Sequence, residues 1–221
     1  MTTVFSHIKV RALALFLACC ICFTALQSSE SFAEPAWPQD VLIEAEGGIL
    51  VDADSGTVLY GKNIHQRYYP ASITKILTAL IVIERCKLDD TISFSYDAVH
   101  NIESGSTSAG YGVGDKITVR EALYALLLRS ANEVANALAE HCAGSREAFA
   151  RLMNEKAASL GCKESHFTNP SGLNDENHYT TAYDYSLIAM AAFKNPTFVE
   201  FDSTTYYELP PNSVNAEPFT I

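Results

Sequence analysis

The sequence is short of cysteine, of basic residues and of long apolar segments, and each shortage removes a class of answer. Six cysteines occur in 221 residues, and Cys19, Cys20 and Cys22 fall in the first apolar segment. Cys86, Cys142 and Cys162 are left for the folded part, enough for one internal disulfide at most and no disulfide framework. Small buried apolar residues is the simplest reading of all three. Lys and Arg number 15 against 26 Asp and Glu, a formal charge of −11, and no basic run stands against that acidity. No nucleic-acid partner is expected. The six histidines include no H-E-x-x-H, and Cys162-x-x-x-His166 alone is half a site, so no metal or cofactor is expected. Repeats and low-complexity segments are absent.

Hydrophobic residues are plentiful, at 48%, enough to bury a core. Lys9 and Arg11 precede an apolar run from Ala12 to Leu26, and Ser31-Phe32-Ala33 sets small residues where a signal peptidase reads. The run falls short of the about 20 residues that a membrane span needs. Residues 1–33 therefore read as a cleaved signal peptide, and 34–221 as one exported domain. The apolar run continues past all three leader cysteines, against a lipoprotein.

"GGILVDADSGTVLYGKN" (47–63) reads as two strands, Ile49–Asp52 and Val58–Tyr60, around the turn residues Asp54-Ser55-Gly56. After Pro70, a helix opens at Ser72 and runs to about Cys86, apolar nearly all round and hence central. Residues 87–117 read as loop with one short strand. Thr118-Val-Arg-Glu121 is a capping box opening a helix that gives way at Ser130-Ala131-Asn132. A further helix, Glu133–Cys142, ends at Gly144, and Ser145 caps the next, which stops at Gly161. "TNPSGLNDENHYT" (168–180) is loop, Thr181 caps a helix ended by Asn195-Pro196, and "STTYYEL" (203–209) is the last strand candidate. The pattern predicts an α+β fold: an antiparallel sheet, with only two or three strands by residue 221, packed on helices with a large helical insertion.

Chemistry concentrates at "YYPASITKILTAL" (68–80). Ser72 and Lys75 are three apart, hence on one face, at the mouth of a buried helix. There the helix dipole and free N–H groups favour developing negative charge. A serine hydroxyl needs a base, and lysine serves only if desolvation or a neighbouring cation lowers its pKa. Ser130-Ala-Asn132 lies at a break between helices, where side chains can point into a cleft. Both patterns are cheap: Ser6-His-Ile-Lys9 and Ser213-Val-Asn215 match them as well. On the residues alone a second reading stands, with Ser72 an N-cap and Lys75 a snorkelling surface lysine.

The order Ser72-x-x-Lys75 then Ser130-x-Asn132 resembles the penicillin-binding and serine β-lactamase superfamily. "ILVDADSGTVLYGKN", "YYPASITKILTAL", "YALLLRSANEVANALAE", "FARLMNEKAASLGCKESHFTNPSGL" and "HYTTAYDYSLIA" together are similar to the low-molecular-mass D-alanyl-D-alanine carboxypeptidases. The resemblance implies a β-lactamase/transpeptidase-like fold and a serine peptidase that trims the terminal D-alanine of peptidoglycan stem pentapeptides and binds penicillin. It implies Ser72 as nucleophile, Lys75 as its base, Ser130 as proton relay and Asn132 as holder of the substrate backbone. It implies action at the extracytoplasmic face of the membrane or in the cell wall, in wall synthesis and cell shape. The family's third motif, Lys-Thr-Gly, is absent. The expectation is that the chain is C-terminally incomplete, inactive alone and lacking any C-terminal membrane-anchoring segment. A β-lactamase shares the nucleophile, but "HFTNPSGLNDENHYT" lacks the E-x-x-L-N arrangement of class A enzymes. A non-catalytic wall- or β-lactam-binding module is the reading from another class.

Overall fold

The computed structural model describes residues 41–221; the signal-peptide reading of 1–33 lies outside them. Among the described residues there are seven helices and three two-stranded antiparallel sheets. The chain begins with the expected hairpin, β1 (Gly48–Val51) with β2 (Val58–Lys62). Its turn forms because Asp52 Oδ1 accepts from the Ser55 amide at 2.7 Å and the Ser55 hydroxyl at 2.6 Å, and Gly56 supplies φ +73°. Leu50, Val58 and Leu59 on this hairpin are exposed.

A 3-10 turn, Ala71–Ile73, leads into α1 (Thr74–Arg85), whose Leu77, Leu80, Ile81 and Val82 are buried. The α4 (Asn132–Ala143), α5 (Arg146–Ser159), α3 (Val119–Leu128) and α6 (Ala182–Phe193) helices pack around it. The capping box is made in full: the Thr118 side chain accepts from the Glu121 amide while Glu121 accepts from the Thr118 amide. Ser145 and Thr181 cap α5 and α6 as expected, and Gly144 closes α4 at φ +84°.

Four differences from the sequence reading have local causes. Residues 87–117 hold two strands and a helix, not one strand: β3 (Thr91–Ser93) pairs with β4 (Lys116–Thr118), and Ser95 caps α2 (Tyr96–His100). The helix at 72 begins two residues later, because Ala71 to Ile73 wind as a tighter turn. Asn195-Pro196 ends one helix and also starts another: Asn195 accepts from the amides of Thr197 and Phe198, and Pro196 opens α7 (Pro196–Asp202). The strand predicted over 203–209 shrinks to β5 (Glu208–Leu209), paired with β6 (Phe219–Thr220) and not with the hairpin.

All three cysteines are half-buried free thiols. Cys86 and Cys142 meet at the ends of α1 and α4, where contact with Cys142 and burial hold the Cys86 thiol well above its ordinary range. No helix among the described residues is long and apolar enough to cross a membrane.

Candidate active site

The site is built where the 3-10 turn meets α1. Ser72 is exposed and caps nothing, so its hydroxyl is spared the N-cap role that its position suggests. Lys75, one turn on, is 2% exposed. Its Nζ lies 3.3 Å from Ser72 Oγ and donates to the Ser171 carbonyl at 2.7 Å. The snorkelling-lysine alternative is thereby removed. Burial lowers the Lys75 pKa to about 8, and the negative charge of Glu133 opposes the fall. About a tenth of the lysine is then neutral at pH 7, within 3.3 Å of the Ser72 hydroxyl.

The Ser171 carbonyl arrives on the loop after Phe167, held onto α1 by a dense set of bonds. Asn169 Oδ1 accepts from the amides of Ser171 and Gly172 and from the Ser171 hydroxyl. Thr78 donates to the Pro170 carbonyl at 2.7 Å. His178 Nδ1 accepts from the Thr168 amide, so the ring's Nε2–H faces Thr74 Oγ1 at 2.9 Å. Burial holds that imidazole neutral, with its pKa down at about 4. Gly172, at φ +82°, passes so close to the turn that a Cβ would sit 1.9 Å from the Ala71 carbonyl oxygen. Only glycine fits.

Ser130 and Asn132 come from the break between α3 and α4. Ser130 adopts φ +58°, and its Oγ is buried without a hydrogen-bond partner among the described residues. Asn132 is buried and its backbone N–H donates to the Thr107 carbonyl at 3.0 Å. Glu133, next in the chain, is the acidic group that acts on Lys75, which places the start of α4 within electrostatic reach of the first pair. Among the described residues three non-glycines adopt positive φ, and two of them, Ala71 just before the first motif and Ser130 at the head of the second, lie at the site, with Asn63 the third. Strain of this kind gathers at working sites.

Sequence reasoning missed Glu133, Ser171, Gly172 and His178. Among the described residues no group of three or more His, Cys, Asp or Glu could hold a metal.

A family of D-alanyl-D-alanine carboxypeptidases, peptidase family S11, matches residues 33–217. The chain belongs to that family. It is 37% identical over 166 residues to the D-alanyl-D-alanine carboxypeptidase DacF of Bacillus subtilis, covering 73% of this chain and 42% of that one. With DacA of Escherichia coli it shares 31% over 207 residues, 88% of this chain and 51% of the relative. The chain spans about half the length of these curated relatives. Among solved structures, penicillin binding protein 6B from Escherichia coli superposes with a TM-score of 0.75 at 29% identity, over 84% of this chain and 60% of that one. The D-alanyl-D-alanine carboxypeptidase from Mycobacterium tuberculosis does so at 0.74 and 32%, over 83% and 69%. The fold is the transpeptidase-like α+β fold expected of the sequence.

Proposed function

We propose that this chain carries the acylating centre of a serine-type D-Ala-D-Ala carboxypeptidase. One observation bears most of the weight: a buried lysine, its pKa lowered toward neutrality, stands 3.3 Å from an exposed serine hydroxyl. In the reaction, neutral Lys75 takes the Ser72 proton as Oγ bonds to the carbonyl carbon of the terminal D-Ala-D-Ala peptide. The resulting ammonium keeps its bond to the Ser171 carbonyl. Ser130 then passes a proton to the departing amine as the C–N bond breaks, and D-alanine leaves. Asn132 holds the backbone of the stem peptide. Water cleaves the Ser72 ester and frees the shortened peptide, with the proton returning to the enzyme. A β-lactam enters the same path through its strained amide and remains as the acyl-enzyme.

The Ser130 hydroxyl, buried and without a partner among the described residues, is free for this proton transfer. Residues 1–33 direct export, and the enzyme works on peptidoglycan at the outer face of the membrane, in wall synthesis and cell shape. Membrane association would come from a C-terminal segment outside 41–221. The test is D-alanine release by the full-length protein from a peptide ending in D-Ala-D-Ala. Turnover that disappears in Ser72→Ala is expected; turnover that persists in that variant overturns the reading.

A further inference from the structure

Glu133 is 1% exposed, and its two carboxylate oxygens live in different surroundings. Oε1 accepts from the Ser108 hydroxyl at 2.8 Å, the Ala109 amide at 2.7 Å and the Gly110 amide at 3.1 Å. Oε2 is equally buried and has no partner among the described residues. A buried carboxylate with a bare oxygen is costly unless a positive charge stands near it. Glu133 sits in the first turn of α4, one residue after Asn132 and three after Ser130, and α4 packs against α1, which carries Lys75.

We propose that Glu133 is a positioning residue of the acylation machinery: it pins segment 108–110 beside the Ser130–Asn132 turn and presents a fixed negative charge to Lys75. The inference rests on the reading of Ser72 and Lys75 as nucleophile and base. Two tasks follow from the two oxygens. Through Oε1, and with the Asn132 backbone N–H on the Thr107 carbonyl, the segment is stapled to the start of α4 next to Ser130 at its strained φ. Through its charge, the carboxylate favours the ammonium that Lys75 becomes on taking the Ser72 proton. Burial alone would leave the lysine a weaker base, and Glu133 opposes that loss. The other groups that meet Lys75 or stand close behind it are uncharged, and the further carboxylates Glu121 and Asp115 act on Tyr111. The uncharged groups are the Ser72 hydroxyl and Ser171 carbonyl at Lys75, the neutral His178 behind Thr74, and Tyr111, whose phenol burial and the nearby carboxylates Glu121, Glu133 and Asp115 keep protonated.

Glu133→Gln separates charge from tether, because its amide oxygen can still accept from Ser108, Ala109 and Gly110. The pH dependence of penicillin acylation of the full-length protein should rise with a midpoint set by Lys75. In Glu133→Gln that midpoint is expected to move down by on the order of one pH unit. Ser108→Ala, which trims the tether and leaves the carboxylate, is expected to keep the wild-type midpoint. A Glu133→Gln profile that superposes on wild type overturns the proposal. So does a downward shift in Ser108→Ala, whether or not Glu133→Gln folds. Wild-type protein that is not acylated at Ser72 overturns the underlying reading of the site instead, and the proposal with it.

Discussion

Replacing Gly172 by alanine puts the largest strain on the site for the smallest chemical change. The new Cβ would stand 1.9 Å from the Ala71 carbonyl oxygen, 2.5 Å from its carbon and 2.9 Å from Thr74 Oγ1, at a φ of +82°. The Ala71 oxygen cannot simply swing aside, because the Thr74 amide donates to it in the turn that carries Ser72. Moving the loop instead withdraws the Ser171 carbonyl from Lys75. The left-handed conformation costs alanine about 1–2 kcal/mol. Losing a hydrogen bond to a charged group adds about 1.5–3 kcal/mol. The sum is on the order of 3–5 kcal/mol, which lowers Tm by roughly 10 °C in a domain of this size. Displacing either partner of the Ser72–Lys75 pair by about 1 Å should slow acylation about 10²-fold. Gly114→Ala is the control, since φ is +91° there and nothing lies within 4 Å of its Cβ. It should cost only the conformational part and leave acylation alone. Calorimetry and penicillin acylation rates of the full-length variants are the assays. A Gly172→Ala protein as stable and as reactive as Gly114→Ala would refute the claim that this contact sets the site.

Two further outcomes follow from the titrating groups. Lys75→Arg keeps a positive charge but cannot act as a base, so acylation should fall about 10²-fold or more; a near-normal rate would mean that the lysine only positions Ser72. His178 titrates at about 4 when folded, below its ordinary 6.5, so the unfolded chain takes up its proton first. That contribution to stability is complete above about pH 6.5 and is lost as pH falls toward 4, on the order of 3 kcal/mol in all. Tm measured across this window should fall more steeply for wild type than for His178→Gln, and parallel curves would contradict the assignment.

Signals that act within one turn of chain were legible in the sequence. The Thr118–Glu121 capping box, the Ser145 and Thr181 caps and the Asp54-Ser55-Gly56 turn each specify a bond between neighbours, and each bond is present or its turn forms as expected. Ser72 and Lys75 share a face for the same local reason. What stayed hidden depends on distant chain. The acceptor for Lys75 is a backbone carbonyl from 96 positions away, and a carbonyl has no residue type to betray it. Gly172 is ordinary in a loop until Ala71 is packed against it. Glu133 reads as an acid favouring a helix N-terminus, and only its burial beside 108–110 reveals a second task. Thr204 and Thr205 suit a strand by propensity, but Ser203 caps the end of α7 and Thr204 bonds back to Glu200.

The central claim is that Ser72 is the acylated residue, driven by a buried lysine base. Mass spectrometry of peptides from the penicillin-treated full-length protein tests it most directly. The account predicts a single adduct on the peptide containing Ser72, absent in Ser72→Ala and strongly reduced in Lys75→Arg. An adduct on Ser130, or labelling that survives Ser72→Ala, would contradict it.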